Sequence, residues 1–491
     1  MSIAPVQTMA AAGFARSTPW GVALAWAMCA AFPVAQAAPK PAAVQAWITT
    51  TDQVHLLAPA PAQAFGKRAA LDLDIEVDAK QRFQTMVGFG ANITDASAWL
   101  IQQRMNPAQR KALLDDLFGK PPGIGLSFTR LTIGASDFSR SHYSLDDVPV
   151  GESDFAMEKF SIAPMRAEVL PVAQEAKRIN PALRIMASPW SAPAWMKSNG
   201  SLIKGTLKPE AYGAFAAYLG KFADAMQAEG LPLFALTLQN EPHFEPEDYP
   251  GMRLMPPARA QLIGEHVGPL LAKRDQNVKI LDWDHNWDEV NSPLQVLADA
   301  RANPFVAGVA WHCYGPEREI VSQSKVHEAY PDKETYFTEC SGGEWKPHWR
   351  ETLPWFMRYL IIGTTRGWAK GVLLWNIALD ENHGPHLGGC KDCRGVVTID
   401  SRTGAVTRNF DYYALAHASR FVRPGAVRIG STGELDGLET VAFQNSDDQS
   451  IALIVLNGAT RARKFSIRFG GQRFHHTMEA ASVATFVWAG H

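Results

Sequence analysis

The chain has 491 residues, 46% hydrophobic and 20% charged, which is an ordinary globular composition with length for one large domain and a smaller one. A formal net charge of −2 gives no electrostatic footing for nucleic acid or an anionic membrane as the main partner. Fifteen tryptophans and 24 phenylalanines are expected mostly in cores, with a few rings left for a site.

At the N-terminus, Arg16 precedes a short apolar run from Gly21 to Phe32, and Ala35-Gln36-Ala37 forms an A-x-A site. This is the pattern of an export signal over residues 1–37, and its apolar run is too short to span a bilayer stably. Later stretches that approach spanning length are broken by charges or turn residues. The mature chain is therefore expected to be exported, to the periplasm or the medium, with no integral membrane segment.

Export permits disulfides. Cys29 leaves with the signal, and Cys313, Cys340, Cys390 and Cys393 remain. Cys313 and Cys340 each stand at a strand end, and the sequence leaves open whether they meet. Cys390-Lys391-Asp392-Cys393 suits a local disulfide; with His383 and His386 upstream it also suits a metal site. No metal is assigned.

Residues 38–85 read as a leader followed by a first strand. Ala38 to about Phe65 is rich in Ala and Pro and reads as loosely ordered, whereas Leu71 to Asp78 alternates apolar and acidic, as a strand with one solvated face does. Over residues 86–404, apolar strand-like runs alternate with helical stretches. The runs are Leu126–Ile133, Arg184–Ser188, Ala235–Gln239, Lys279–Trp283, Val306–Trp311, Glu334–Thr338 and Gly371–Trp375. Helices are expected over Pro107–Phe118, Pro209–Glu229 and Pro257–Lys273, each opening on a proline that suits a first turn. This alternation predicts an α/β fold, a (β/α)8 TIM barrel. No G-x-G-x-x-G loop follows a strand, which removes the main support for a dinucleotide fold. Residues 405–491 change to short strands separated by turns, an all-β sandwich that the strand near Leu71–Val77 is expected to join.

Two glutamates end apolar runs: Glu241 in Leu236-Thr237-Leu238-Gln239-Asn240-Glu241-Pro242, and Glu339 in Thr335-Tyr336-Phe337-Thr338-Glu339. Chemistry in a β/α barrel gathers at the C-terminal strand ends, and two carboxylates there are what glycoside hydrolysis requires. Other strand ends carry Asp137, Trp190, His312, Tyr314 and Trp375. Read singly, Asp137 also suits a helix cap, the tryptophans suit core, and His312 suits a structural role.

The segments Gly88–Ala96 (GFGANITDA), Ala187–Gly200 (ASPWSAPAWMKSNG), Leu236–Pro242 (LTLQNEP) and Trp375–Pro385 (WNIALDENHGP), in this order, resemble glycoside hydrolase family 30. That group includes glucosylceramidases and endo-β-1,6-glucanases. The resemblance runs from about Gly88 to the C-terminus. It implies a barrel with a β-sandwich built from both chain ends, and retaining hydrolysis of β-glycosidic bonds without metal or organic cofactor. By matching positions, Glu241 is implied as general acid/base, Glu339 as nucleophile, and Asn240 as the partner of the sugar 2-hydroxyl. Asp137 and Trp190 are implied to grip outer hydroxyls, Trp375 to form a pocket wall, and Tyr314 to lie beside the nucleophile, with His312 in the same segment.

In such a mechanism Tyr314 would keep Glu339 ionised, while burial and the charge of Glu339 would keep Glu241 protonated. The expected substrate is a β-D-glucoside, glycolipid or glucan, with a glucosylceramidase-like activity placed ahead of endo-β-1,6-glucanase and of β-xylosidase or β-fucosidase. Cys313 stands where glucosylceramidases carry an aromatic residue, and Gly388–Cys393 looks more like microbial relatives, so the leaving-group side stays open. Two rivals are a carbohydrate-binding protein without hydrolysis and a metal-dependent hydrolase using His383, His386 and the Cys pair.

Overall fold

A computed structural model describes residues 43–274 and 276–490; the expected signal at 1–37 lies outside them. Eight short apolar runs form parallel strands that close into a barrel. In chain order they are Gly88–Asn92, Phe128–Ile133, Arg184–Pro189, Leu233–Thr237, Lys279–Asn286, Val306–His312, Glu334–Glu339 and Ala369–Asn376. Each predicted run lies on one of them. The interior is a layer of side chains, one each from strands two to eight: Phe128, Met186, Ala235, Leu281, Ala310, Tyr336 and Leu373. Gly371 makes room for this layer, since a Cβ there would lie 2.7 Å from the Phe128 ring.

The helix Pro107–Phe118 forms as predicted. Asn106 accepts from the Ala108 and Gln109 N–H groups, and the Gln109 side chain accepts from the Asn106 N–H, a reciprocal cap. The second predicted helix is a 3-10 turn, Pro209–Ala211, leading into Tyr212–Ala228. The third runs from Pro256 to Ala272 with a π segment at Leu262–Val267. Among the described residues no helix is long and apolar enough to cross a membrane.

The second layer is a β-sandwich made from both chain ends. Its strand order runs Ala58–Ala64, Ala43–Thr50, Ser482–Trp488, Ile451–Asn457, Leu438–Gln444, Val427–Ser431, Asp74–Thr85, Arg463–Phe469, Gln472–Met478. The long strand Asp74–Thr85 turns the sheet over: its start pairs in parallel with Arg463–Phe469, and its later part pairs antiparallel with Val427–Ser431. Strand Ile451–Asn457 is buried on both faces. Ile451, Leu453 and Val455 point into the sandwich core, and Ala452, Ile454 and Leu456 join the cluster around the barrel. A period of two thus glues the two layers together through a continuous apolar run.

Three readings need correction. Residues 43–64 are not a loose leader but a hairpin, and Gln45–Thr50 pairs antiparallel with the strand Ser482–Trp488. Alanine and proline are poor strand formers, so propensity hid a strand that a distant partner stabilises. Thr49 is further pinned by buried His417, whose ring nitrogens lie 2.8 Å from Thr49 Oγ1 and 2.9 Å from Thr485 Oγ1. Burial lowers the His417 pKa to about 3, so the ring is neutral. The polar run Gln472–Met478, absent from the expected strands, forms a full ladder with Arg463–Phe469. The helix Phe410–Ser419, also unforeseen, packs its Phe410, Leu415 and Ala418 into the barrel cluster.

Candidate active site

Seven of the eight predicted site residues line one cleft of ≈ 490 Å³ at the C-terminal mouth of the barrel: Asp137, Trp190, Asn240, Glu241, Tyr314, Glu339 and Trp375. His312 lies directly behind them, fully buried. Its Nδ1 is 3.1 Å from Glu241 Oε1 and 4.0 Å from Glu339 Oε1, which caps the separation of those oxygens at about 7 Å.

Glu339 sits at the end of strand seven and is 5% exposed. Arg130 Nη1 donates to its Oε2 at 2.6 Å, and the Tyr314 hydroxyl donates to its Oε1 at 3.1 Å. Burial and the charge of Glu339 push the Tyr314 phenol well above its ordinary pKa, so it stays a donor. Asn240 accepts from Arg130 Nη2 through Oδ1 at 2.7 Å, which leaves its amide N–H groups to the cleft. Asp137 is 7% exposed, and among the described residues its Oδ1 has no hydrogen-bond partner. Burial, then the charge of Glu339, raises its pKa well above the carboxylate range. A buried carboxyl with a spare oxygen at a cleft is suited to a ligand hydroxyl. Trp190 and Trp375 stack at 5.1 Å between centroids, so they serve as packed core and cleft wall together.

The hub of this arrangement is Arg130, which the sequence reading placed on a strand without a role. It is fully buried, and it also donates to Ser188 Oγ at 3.0 Å and to Asp284 Oδ2 at 2.6 Å. Its guanidinium lies 4.7 Å from the Trp190 ring centroid. A signal existed: an arginine inside the buried run Phe128–Ile133 is costly unless carboxylates wait for it.

Asp284 was missed as well. It receives Ser188, Thr237 and Arg130 on Oδ2, and Thr338 and His312 on Oδ1. Despite burial, Arg130 and then His312 and Thr237 hold it far below the usual carboxylate range. Strand five was expected to end at Trp283, but it continues to Asn286 through a register shift, with Trp283 and Asp284 at φ 77° and 54°. Glu241 is also left-handed, at φ 50°, and its N–H donates to the Asp284 carbonyl at 3.0 Å. Such backbone is sparsely populated by non-glycine residues, and it gathers where side chains must be re-aimed.

Burial opposes charge on His312, yet Glu339 and the bonds to Asp284 and Glu241 raise its pKa to about 9. A raised histidine pKa stabilises the fold fully below the unfolded value near 6.5, and that contribution is lost as pH rises through the folded value. Wild type is therefore expected to lose about 3 kcal/mol from this group between pH 6.5 and 9.5. His312→Gln should flatten that part of a melting-temperature series; an unchanged slope in the variant would refute the assignment.

All four described cysteines are in disulfides, Cys313–Cys340 and Cys390–Cys393. The latter therefore offers no thiolates to a metal, and His383 and His386 face the backbone carbonyls of Cys393 and Gly388. Glu241, His285 and His312 place ligand atoms within 4.8 Å of one another, but both His312 nitrogens are engaged by carboxylates.

Comparison with known proteins matches two family models, the glycosyl hydrolase family 30 TIM-barrel domain over residues 86–422 and the family 30 beta sandwich domain over 425–486. An endo-1,6-beta-D-glucanase of Neurospora crassa is 34% identical over 439 residues, covering 87% of each chain. The lysosomal acid glucosylceramidase of Mus musculus is 28% identical over 456 residues, covering 86% of this chain and 84% of its own. A solved endo-beta1,6-glucanase superposes with a TM-score of 0.84 at 32% identity, covering 91% of this chain and 99% of its own. On these matches, over nearly all of the barrel and sandwich just described, the chain belongs to glycoside hydrolase family 30 and is a glycosidase.

Proposed function

We propose that the protein is an exported, retaining glucanase that cleaves β-1,6-glucosidic bonds, with Glu339 as nucleophile and Glu241 as acid/base. The observation that carries the mechanism is the single imidazole of His312 within reach of both carboxylates, 3.1 and 4.0 Å away. A retaining pair stands about 5–5.5 Å apart, and an inverting pair, which must admit a water, stands about 6.5–9.5 Å apart. The cap of about 7 Å on the Oε1 atoms favours the first.

Proton placement follows from which neighbours keep their charge. Burial pushes the Glu339 carboxyl up against the pull of His312 and Arg130. Burial also opposes ionisation of Glu241, but His285 and then His312 draw its pKa down. His285 is itself pushed below its ordinary value by burial, so it is neutral at pH 7 and its pull on Glu241 lapses. Arg130 stays charged at any working pH. We place the shared proton of the pair on Glu241 and the charge on Glu339, to which Arg130 and Tyr314 both donate, against the pull of charged His312 on Glu241 and the burial of Glu339. Glu339 attacks the anomeric carbon while Glu241 protonates the leaving oxygen. Once the glycosyl ester forms, the charge of Glu339 is gone. Glu241 then ionises readily and takes a proton from the attacking water.

The β-1,6-glucan reading draws on the Neurospora crassa relative and on the cleft mouth. Trp345 is 49% exposed, and its ring lies against Gly343, where a Cβ would sit 2.0 Å from the ring. The ring is thereby packed on its Gly343 side and half exposed at the cleft mouth, where a flat sugar can stack. Phe244, 46% exposed, lines the mouth from the Glu241 loop, with Glu247 and Asp248 beside it. A second reading, glucosylceramide, is favoured by the mouse relative and by the apolar groups Phe244 and Pro246 at that mouth.

The test compares an aryl β-glucoside, a β-1,6-glucan and glucosylceramide in detergent. Preference for the glucan is expected; preference for the ceramide would overturn the substrate and keep the mechanism. Trp345→Ala should raise KM on a β-1,6-gluco-oligosaccharide about tenfold, the worth of one lost ring stack, with little effect on the aryl glucoside. Equal KM on both substrates would remove Trp345 from the leaving-group side.

A further inference from the structure

We infer that the Cys313–Cys340 disulfide is a positioning element of the catalytic centre, holding Tyr314 and His312 against Glu339. The inference rests on the reading of Glu339 as nucleophile. Cys313 lies between His312 and Tyr314, and Cys340 directly follows Glu339. Strands six and seven pair in parallel as far as His312 opposite Glu339, where the register slips and the ladder stops. One residue later the disulfide joins the two chains, with the Cα atoms 5.4 Å apart. The Cys340 carbonyl also accepts from the Trp375 N–H at 2.8 Å. Three chain segments carrying Tyr314, Glu339 and Trp375 are thus tied at Cys340.

The need for a tie is plainest at Tyr314. Its hydroxyl end is buried against Glu339, but the residue as a whole is 45% exposed, just beyond a strand end, and its backbone anchor is one N–H bond to Asn286 Oδ1 at 3.0 Å. His312, by contrast, is gripped by Asp284 and Glu241. Without the crosslink, the exposed Tyr314 ring is free to swing away from Glu339. Loss of a hydrogen bond to a carboxylate favours its protonated form, and a displacement of about 1 Å in a catalytic centre costs about 100-fold in rate. The bond is sealed in the core cluster, with Cys313 7% and Cys340 1% exposed. Closing a loop across 27 residues of sequence also constrains the unfolded chain, so stability alone does not separate a positioning role from a merely structural one.

The separating experiment is Cys313→Ala/Cys340→Ala, with kcat and KM on an aryl β-glucoside followed against pH. We expect kcat to fall about 10- to 100-fold with KM nearly unchanged, and the acid limb of kcat/KM to move up by about one pH unit. Tyr314→Phe added to the double variant should cost far less than Tyr314→Phe in wild type, because the two changes act on one contact. A lowered melting temperature with wild-type kcat and acid limb would overturn the proposal, as would additive losses with Tyr314→Phe. If the alanine pair does not fold, Cys313→Ser/Cys340→Ala or wild type isolated with its thiols reduced gives the same readouts. Glu339→Ala is measured alongside. If that variant stays active, the nucleophile assignment fails; if it is dead while the cysteine variant keeps the wild-type profile, only the positioning role fails.

Discussion

Glu339→Ala is expected to lower kcat on an aryl β-glucoside by about six orders of magnitude, the scale seen when a covalent nucleophile is removed. The fold should survive, because the Arg130 guanidinium keeps Asp284, Asn240 and Ser188 as partners. Azide added to this variant should restore turnover by entering the space left by the carboxylate. Attack from that side gives the α-glycosyl azide, of inverted configuration. Glu241→Ala should behave differently. With a good aryl leaving group, which needs no protonation, its glycosylation step should be nearly intact, and azide should give the β-glycosyl azide by attack on the intermediate. With a glucan it should fall about 10²- to 10⁴-fold, the share of general acid catalysis. Azide products of the opposite configurations would exchange the two roles. A Glu339→Ala enzyme with wild-type turnover would remove the double-displacement mechanism.

Arg130→Met is expected to cost about 3–5 kcal/mol of stability, because it leaves buried carboxylates without their cation. Those carboxylates are Glu339 and Asp284, each 2.6 Å from the guanidinium and with side chains 7% and 0% exposed. Asp284, held low by Arg130 first, contributes stability that is present above its unfolded pKa and lost as pH falls through its folded value. Without Arg130 that folded value rises, so the variant should begin to unfold at a higher pH on acidification than wild type. Arg130→Lys should recover part of the stability but little activity, since an ammonium cannot serve Glu339, Asn240, Asp284 and Ser188 from one rigid fork. Chemical denaturation with a series of acid titrations measures both effects. An Arg130→Met protein as stable as wild type, with the same acid midpoint, would mean that the guanidinium does not hold these charges.

Much of the barrel was legible because its signals are local. Strands buried on both faces need continuous apolar runs, and their polar ends stand out against them, as at Asn240-Glu241 and at Glu339. The capped helix Pro107–Phe118 is equally local, written in Asn106, Pro107 and Gln109. The misses share a different origin. Gln472–Met478 and the Ala/Pro-rich hairpin of residues 43–64 have weak strand preference of their own. Each becomes a strand because a remote strand offers a ladder: Arg463–Phe469 for the first and Ser482–Trp488 for the hairpin.

The same division runs through the site. Residue type at strand ends nominated Glu241 and Glu339, the family resemblance added Asn240, Asp137, Trp190, Tyr314 and Trp375, and the cleft collects them all. Arg130 and Asp284 needed the third dimension. Their meaning is a pairing across 154 residues of sequence, and the turn of Asp284 into the barrel depends on left-handed backbone that no local preference predicts. Cys313 and Cys340 were visible as strand ends, but only closure of the barrel sets strand six beside strand seven and their Cα atoms 5.4 Å apart. By itself the sequence determined the barrel strands, the order of chemistry-bearing strand ends and the two carboxylates, because periodicity and residue type act over a few residues. The tertiary structure decided which charges face one another across the cleft. Electrostatics and burial depend on distances through space, and those exist only once the barrel has closed.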